Sequence, residues 1–279
     1  MYFDSHAHLN LATFDKELSQ IISKLKEEKI YLVNAGTCYL TSEKAIELAK
    51  IEENFWSAVG LHPAHTFKNL VDKEEIDSQD NFSLPESFDD KFIGLLKNDK
   101  VVAIGETGLD YSYLKNFSDE EKEKLQEKQR EEFQKQIKAS QESGLPLIIH
   151  SREVYTECLL ILEKLFFKGT GVFHFFSGTI KEAKEILKRG FYLGFSGIIT
   201  YDNERAKNLE EVIKETPLEK ILIETDCPYA APKPYRGQKN YPFYVQEVAR
   251  KIAQIKNQSL EKIEYQTFNN ALNFFKIKM

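Results

Sequence analysis

Histidines and acidic residues stand at the ends of short apolar segments in this chain. His6 and His8 are separated by one residue in the segment Asp-Ser-His-Ala-His. Side chains two residues apart on an extended strand point to the same side, so these two imidazoles could bind one ion. The pair therefore indicates a metal site, although a polar strand end would show the same two histidines.

Further potential metal ligands follow four other apolar segments. Glu106 follows Val-Val-Ala-Ile-Gly, and Asp226 follows Ile-Leu-Ile-Glu-Thr. His150 ends Leu-Ile-Ile-His, and His174 follows Val-Phe. Each carboxylate alone is more typical of a helix cap. Together with the first pair they exceed what one ion needs, so we expect two divalent ions about 3.5–4 Å apart. The native metal stays open between Mg, Mn and Zn.

The charge of the chain restricts how it could attract phosphate. Its net charge of −6 provides no global positive field for nucleic acid, so such an attraction must be local. Two divalent ions beside Glu106 and Asp226 would leave a local charge of about +2. Four cations near the predicted ligands could add to it: Arg152, Lys233, Arg236 and Lys239. The last three could equally belong to an ordinary solvated loop.

Short apolar runs alternate with longer segments of helical periodicity. The predicted strands are Tyr2–Asp4, Ile30–Ala35, Phe55–Val59, Val101–Gly105, Leu147–Ile149, Val172–Phe173, Phe191–Phe195 and Ile221–Ile223. The predicted helices are Phe14–Glu28, Ser42–Glu53, Glu86–Asn98, Asp119–Ser143, Glu153–Phe167, Ile180–Arg189, Glu204–Glu215, Phe243–Asn257 and Leu260–Phe275. Ser42 is expected at a helix start, and Gly144 and Gly190 just after helix ends.

This alternation predicts an α/β fold, a (β/α)8 TIM-type barrel that forms one domain over residues 1–279. An open doubly wound sheet would give the same local signals. We interpret the polar stretch Asp72–Asp90 as an insertion after the third strand. In a barrel the ends of the strands carry the active site, so all the potential ligands would lie on one face.

Three cysteines at wide spacings fit neither a disulfide framework nor a Cys-x-x-Cys zinc site: Cys38, Cys158 and Cys227. No signal-peptide pattern opens the chain, and no apolar run is long enough to cross a membrane. We therefore expect a cytoplasmic protein without membrane contact, and nothing in the chain indicates an obligate protein partner.

Seven segments resemble the TatD-type metal-dependent deoxyribonucleases, a branch of the amidohydrolase-like barrels. They run from the first predicted strand to the last: Phe3-Asp-Ser-His-Ala-His-Leu9, Gly60-Leu-His-Pro63, Gly105-Glu-Thr-Gly-Leu-Asp-Tyr111, Ile149-His-Ser-Arg152, His174-Phe-Phe-Ser-Gly178, Glu224-Thr-Asp-Cys-Pro-Tyr229 and the loop Pro234–Pro242. Each segment alone is weak, whereas the ordered set is specific and covers nearly the whole chain.

The resemblance implies a role for each potential ligand. It places one ion on His6, His8 and Asp226, a second ion on His150 and His174, and Glu106 between the two. It also implies that His62 lines the substrate side of the pocket, although a turn histidine before a proline would look the same. Three positions depart from the family pattern: Asn10 in place of Asp, Phe175 in place of Cys and Tyr241 in place of Glu. None of them is a predicted ligand.

The resemblance implies metal-assisted hydrolysis of phosphodiester bonds in DNA, from a strand end. The residues alone indicate only a metal-dependent hydrolase. Asp226 would accept a proton from the attacking water, with Glu106 as the second catalytic carboxylate. Substrate contacts are expected from His62, Arg152, Arg236 and Tyr111, where aromatic rings such as Tyr111, Tyr113 and Phe175 could stack on a base at a single-stranded end.

Two other functions stay open. The same metal site could hydrolyse another bond, as a D-aminoacyl-tRNA deacylase or an esterase would. The protein could also be a non-enzymatic barrel that keeps metal for stability, although structural zinc sites are closed and this ligand set leaves room for solvent. Arg152 and Arg236 favour the phosphodiester among these alternatives.

Overall fold

A computed structural model of the chain describes residues 1–67 and 86–279. Contacts between Cα atoms group the chain into two compact units. The first unit comprises residues 1–9, 14–34 and 172–279, and the second comprises residues 10–13 and the described part of 35–171. Most of the predicted insertion Asp72–Asp90 lies outside the described residues. The prediction of a single domain stays a prediction.

Eight β-strands occur among the described residues, at the eight predicted places. They are β1 (Tyr2–Ala7), β2 (Ile30–Ala35), β3 (Phe55–Val59), β4 (Val101–Asp110), β5 (Leu147–Arg152), β6 (Gly171–Phe173), β7 (Tyr192–Phe195) and β8 (Ile221–Ile223). Strands β1, β4 and β5 continue beyond the apolar residues that predicted them. They therefore contain His6, Glu106 and His150 instead of ending before these residues.

Nine α-helices lie in the described part of the chain. They are α1 (Leu18–Glu27), α2 (Tyr39–Ile51), α3 (Asp90–Leu95), α4 (Asp119–Ser143), α5 (Tyr155–Lys164), α6 (Ile180–Lys188), α7 (Glu204–Glu215), α8 (Val245–Lys256) and α9 (Leu260–Phe275). The predicted bounds of α4, α7 and α9 are confirmed. The side chains of Ser118, Asn203 and Ser259 cap these helices by accepting a backbone N–H. Gly144 and Gly190 follow helices at φ of +72° and +85°, as predicted.

Ser42 does not begin a helix, so that prediction was wrong. Helix α2 begins three residues earlier, at Tyr39, and the backbone N–H of Cys38 donates to the hydroxyl of Thr41 at 2.9 Å. Ser42 is buried in the first turns of this helix, where its hydroxyl lies 2.1 Å from the position that a Cβ on Gly36 would take. Close packing against the end of β2 therefore explains this serine.

The first unit brings the ends of β1 and β8 together. Strands β1 and β2 pair in parallel, and so do β6, β7 and β8. The backbone N–H of His8 donates to the carbonyl of Cys227 at 3.1 Å, and that of Asp226 donates to His6 at 2.9 Å. Aromatic rings pack between β1 and α9: Phe3, Phe268 and Phe275. His6 and Asp226 are therefore neighbours in space.

The second unit holds β3, β4 and β5, which pair in parallel beside α4. Two buried glutamines of α4 bind backbone groups at the strand ends. Gln136 accepts the N–H of Leu61 at 2.9 Å and donates to its carbonyl at 3.0 Å. Gln129 binds Asp110 in the same way, at 2.9 and 2.8 Å. A carboxamide can satisfy one donor and one acceptor at once, so these two glutamines fix the segments that carry His62 and the end of β4.

None of the helices in the described residues is both long and apolar enough to span a membrane.

Candidate metal centre

Three side chains of the first unit could bind one cation. Nε2 of His6 lies 3.0 Å from Nε2 of His8, and Oδ1 of Asp226 lies 3.5 and 3.3 Å from these two nitrogens. Both imidazoles are buried, whereas the Asp226 side chain is 14% exposed. We call this group the first triad (His6, His8 and Asp226).

The spacing within the first triad fits a divalent ion. Ligands about 2.0–2.2 Å from zinc in tetrahedral geometry are about 3.3–3.6 Å apart. Ligands about 2.1 Å from magnesium in octahedral geometry are about 3.0 Å apart. The separations of 3.0 to 3.5 Å between the triad atoms lie in this range. Two imidazoles with one carboxylate therefore suit an ion in size and chemistry, without selecting which ion.

Asp4 supports the first triad through hydrogen bonds to two segments that carry its members. Its buried carboxylate accepts hydrogen bonds from the hydroxyl of Thr225 at 2.5 Å, the N–H of Thr225 at 2.9 Å and the N–H of His6 at 3.2 Å. Burial raises the pKa of Asp4 well above its usual value. Asp226 follows Thr225 directly and has a φ of +56°, a left-handed conformation that Asp and Asn tolerate. Asp4 therefore positions a residue of β1 and the segment after β8 together.

His174 lies against the first triad. Its ring stacks on that of His6 with centroids 4.1 Å apart, and its Nδ1 is 3.7 Å from Oε1 of Glu224. Glu224 is fully buried and accepts the backbone N–H of Phe175. A Cβ on Gly194 would lie 2.3 Å from the Glu224 carboxylate, so only glycine leaves room for it. Glu224 thus fixes the segment that carries His174.

A second group of ligand atoms lies in the second unit, and we call it the second triad (His62, Glu106 and His150). Nδ1 of His150 is 2.6 Å from Oε1 of Glu106, and Nε2 of His62 is 3.5 Å from the same oxygen. The backbone N–H of Glu106 donates to Gly36, and that of His62 donates to Thr37, both at 2.8 Å. These bonds fix the backbone of two triad members.

Asp110 binds the other ring nitrogen of His150. Its buried Oδ2 lies 3.1 Å from Nε2 of His150, and Ser112 donates its N–H to Oδ1 at 2.8 Å. Burial is the largest single influence and opposes ionisation of both groups, but the hydrogen bonds and opposite charges around them together outweigh it. The pKa of Asp110 is therefore lowered and that of His150 is raised. A carboxylate on one nitrogen commonly orients a metal-binding imidazole, so Nδ1 is the atom of His150 that could bind an ion.

The four predicted phosphate-binding cations divide into two kinds. The lysines form ion pairs: Lys233 with Asp202 and Lys239 with Glu17. Arg152 and Arg236 are exposed, and within residues 1–67 and 86–279 neither has a carboxylate partner. The guanidinium of Arg236 lies 4.4 Å from the ring centroid of Tyr201. The positive charges of these two arginines are therefore not balanced by a neighbouring carboxylate of the described residues, and an anion from outside could bind them.

The aromatic side chains expected to contact substrate differ in their hydrogen bonds and in their exposure to solvent. The Tyr111 hydroxyl donates to Glu157 at 2.9 Å, and the same carboxylate binds Nε of Arg130 at 2.6 Å. Burial and the bond to Glu157 raise the pKa of Tyr111. Tyr113 is 37% exposed and Phe175 is half-buried. The substrate role of Tyr111 stays a prediction, with its ring held at the end of β4.

Two departures from the family pattern have physical explanations. The Asn10 amide donates to the carbonyls of Ala35 at 3.0 Å and Thr41 at 2.9 Å, and an ionised aspartate has no hydrogen to donate. Tyr241 donates its hydroxyl to Glu17 at 2.9 Å, so a carboxylate stands beside this loop position although residue 241 is not acidic. Neither departure alters a triad.

Three buried carboxylates next to the ligands were missed from the sequence: Asp4, Glu224 and Asp110. Asp4 precedes His6 by two residues and Glu224 precedes Asp226 by two. The same spacing rule that grouped the first two histidines could have placed Asp4 on the ligand side of its strand. No local signal indicated that Asp110 binds His150, because the two lie on different strands.

Comparisons with known proteins agree over nearly the whole chain. Residues 3–276 match the model of a family described as TatD related DNase. The chain is 37% identical over 279 residues to the protein named "Uncharacterized metal-dependent hydrolase YabD" from Bacillus subtilis (strain 168), which covers 99% of this chain and 100% of that one. It is 30% identical over 284 residues to the "3'-5' ssDNA/RNA exonuclease TatD" of Citrobacter rodentium (strain ICC168), covering 99% and 98%.

A solved structure shows the same fold. The crystal structure of YJJV, a TatD homolog from Escherichia coli K12, matches with a TM-score of 0.81 and 24% identity, over 99% of this chain and 98% of that one. The predicted fold class, a (β/α)8 barrel, is confirmed by this likeness together with the eight described strands and their intervening helices.

Proposed function

Because the chain belongs to the TatD related DNase family and is a metal-dependent hydrolase, we propose that it cuts phosphodiester bonds in single-stranded DNA from a strand end. The family predicted from the motifs is thereby confirmed. The exonuclease name of the Citrobacter rodentium relative supports the substrate class. The observation that carries the proposal is the first triad, whose three ligand atoms lie 3.0 to 3.5 Å apart.

We propose further that hydrolysis uses two divalent ions, one bound by the first triad and one by the second, and that His174 contributes a ligand. Support comes from the fold class, in which the carboxyl ends of the strands surround the active site. Divalent ions bound there would supply positive charge that polarises a phosphoryl oxygen and makes water more acidic. Mg, Mn and Zn are all compatible with the ligands.

The residues of the chain would act as follows. Asp226 accepts the proton of the attacking water while a bond forms between the water oxygen and phosphorus. The bond from phosphorus to the leaving oxygen breaks, and that oxygen takes up a proton from solvent, to which Asp226 then releases the proton that it accepted. Asp226 can do this because part of its carboxylate is exposed while Thr225 and Asp4 fix its backbone. Arg152 and Arg236 would bind phosphate oxygens of the strand.

Two further expectations belong to this proposal. We propose a single domain, in which case heating should give one unfolding transition that circular dichroism and tryptophan fluorescence report at the same temperature. We also propose that the enzyme works in the cytoplasm. Support comes from three buried cysteines of the described residues, Cys38, Cys158 and Cys227, which form no disulfide with one another.

The test compares wild type with Asp226→Asn on a 3'-labelled single-stranded oligonucleotide in the presence of Mg or Mn. Asparagine keeps the shape and tolerates the left-handed backbone of residue 226, but it accepts no proton. We expect a fall in rate of roughly 100- to 10,000-fold, as for loss of a general base. Asp119→Asn, at a fully exposed position, serves as the matched control and should cleave like wild type.

Aminoacyl-tRNA and a simple ester are assayed beside the DNA. Turnover of either one without cleavage of DNA would replace the nuclease by another hydrolase. If Asp226→Asn cleaves DNA as fast as wild type, the role of Asp226 is refuted.

A further inference from the structure

The loop after β8 joins the first unit's candidate site to a cluster of aromatic rings. The segment from residue 230 to residue 240 holds three cations and no acidic residue, in a chain whose net charge is −6. Lys233 and Lys239 form the ion pairs described above. Among the described residues no carboxylate pairs with Arg236, so this loop cation can bind an anion from outside. Positive charge of this kind attracts a phosphate backbone locally.

Hydrogen bonds hold this loop in one shape. The Asn240 amide donates to the carbonyls of Thr225 at 2.8 Å and Tyr229 at 2.6 Å, which ties the end of the loop to its beginning. The hydroxyl of Tyr201 donates to Ala231 at 3.0 Å, which ties the loop to the segment after β7. Because both ends are anchored, the side chains between them are presented in a defined arrangement.

Two stacking contacts involve this loop, one between two rings and one between a guanidinium and a ring. The rings of Tyr235 and Tyr244 stack with centroids 3.8 Å apart and planes 7° apart, and both residues are half-buried. The exposed guanidinium of Arg236 lies over the ring of Tyr201. We call these four residues the tyrosine-arginine platform (Tyr201, Tyr235, Arg236 and Tyr244). A flat guanidinium held on a ring needs little reordering to bind phosphate, and paired rings offer a stacking partner for a base.

We propose that the tyrosine-arginine platform binds single-stranded nucleic acid, with Arg236 on a phosphate and the Tyr235–Tyr244 stack on a base. This inference rests on the proposed function, since it names the part of the protein that selects the strand. An intact duplex offers no unstacked base to the tyrosine pair, so the platform favours single strands. The same loop contains Asp226, and the N–H of Tyr229 donates to the Asp226 carbonyl at 2.9 Å, so a strand bound here lies beside the first triad.

The experiment measures binding of fluorescent oligonucleotides by anisotropy, with Mg or Mn present. All variants carry Asp226→Asn so that the strand is not consumed. One probe is oligothymidylate, and the other is an abasic strand of equal length, which has the phosphates but no bases. We expect Tyr235→Leu to weaken binding of oligothymidylate by roughly 5- to 150-fold, the range for loss of one stacked base. It should leave binding of the abasic strand within twofold.

Arg236→Gln should weaken binding of both probes and reduce the salt dependence of binding by about one phosphate contact. Tyr235→Phe keeps the ring and should bind like the parent, which separates stacking from damage to the loop. The matched controls are a similar cation and ring at the opposite ends of β7 and β8. There Nζ of Lys220 lies 4.3 Å from the ring centroid of Tyr192. Lys220→Gln and Tyr192→Leu should not change binding of either probe.

Equal binding of oligothymidylate by Tyr235→Leu and its parent would overturn the platform. So would a Tyr235→Leu variant that binds both probes more weakly by the same factor. Those results leave the proposed function standing if wild type still cleaves DNA. Conversely, wild type that cleaves no nucleic acid refutes the proposed function, whereas the binding differences above would still support the platform. Absence of all binding to either probe overturns it.

Discussion

The two triads differ in how their ligand atoms are kept apart. In the first triad, the three ligand atoms of His6, His8 and Asp226 are spaced almost evenly, at 3.0, 3.3 and 3.5 Å. In the second triad, His150 and Glu106 approach to 2.6 Å, which is a hydrogen-bond distance. Both triads therefore contain a hydrogen-bond contact, but the 3.0 Å contact of the first also suits two ligands of one ion, whereas the 2.6 Å contact of the second is too short for that.

This difference concerns the cost of binding an ion. A cation entering the first triad finds its ligands already separated by the required distances. A cation entering either triad must displace a proton, but in the second triad it must also move His150 and Glu106 further apart. We therefore expect the first triad to bind metal more tightly, which gives two separable steps in a titration.

The largest expected effect is the loss of one step when one ligand is removed. His8→Asn should abolish the tight step, with a loss in affinity above roughly 100-fold, since even partners outside the ligand set change affinity by 10- to 100-fold. His150→Asn should abolish only the weak step. Isothermal titration calorimetry with Mn or Zn measures both. Loss of the weak step in His8→Asn with the tight step intact would reverse the comparison.

Removing the carboxylates behind the ligands should have a smaller effect on the same steps. We expect Asp4→Asn to weaken the tight step and Asp110→Asn to weaken the weak step, each by roughly 10- to 100-fold. Calorimetry again measures the affinities. Glu132→Gln is the control, because this buried carboxylate binds Lys128 and Lys135 and should change stability but neither step. Unchanged affinities in both Asn variants would show that the carboxylates do not position the ligands.

Each unit also contains a buried asparagine that joins backbone carbonyls. Asn10 does so in the second unit and Asn240 in the first. Replacing either by aspartate sets a carboxylate against carbonyl oxygens and should lower the free energy of unfolding by about 1–3 kcal/mol. Urea denaturation measures this loss. Asn269→Asp in α9, where the hydrogen bond of the amide to the Tyr265 carbonyl is exposed to solvent, should stay within about 0.5 kcal/mol of wild type. A fully stable Asn10→Asp would refute our explanation of this departure.

The smallest effect is expected at Tyr241, outside both triads. Tyr241→Phe removes the hydrogen bond to Glu17 and should cost at most about 1 kcal/mol, because that carboxylate is partly exposed.

The effect should depend on pH. The bond from Lys239 lowers the pKa of Glu17, so its stabilisation is present above the usual carboxyl pKa and is lost as the pH falls through the lowered value. Denaturation at pH 7 and at pH 3 checks this. Tyr265→Phe, whose side chain is mostly exposed, is the control. A cost that persists unchanged at the lower pH would contradict the role of ionised Glu17.

Most of the fold could be predicted because its signals are local. Apolar runs marked the strands, and capping residues such as Ser118 and Ser259 marked helix starts. Local signals failed where packing decided. Ser42 looks like a helix start, but its hydroxyl fits against Gly36. Strand β4 continues through polar residues to Asp110, because its pairing with β5 continues there.

The sequence indicated the candidate ligands but not the residues that hold them in place. The alternation of side chains along a strand puts His6 and His8 on one side whatever surrounds them, so spacing alone could group them. Spacing says nothing of Asp4 and Thr225, which hydrogen-bond although 221 positions separate them. It likewise gave no reason to place His62 within 3.5 Å of Glu106.

The sequence by itself determined which side chains stand at strand ends and which chemistry they can perform, because strand periodicity and apolar runs act over a few residues. Only the tertiary structure decided which carboxylate contacts which imidazole and which cations form ion pairs. Such contacts depend on where distant strands and loops meet, and many different partners are compatible with the same local pattern. The ion pair of Lys239 with Glu17 and the exposed position of Arg236 differ for this reason, although both cations lie in one loop.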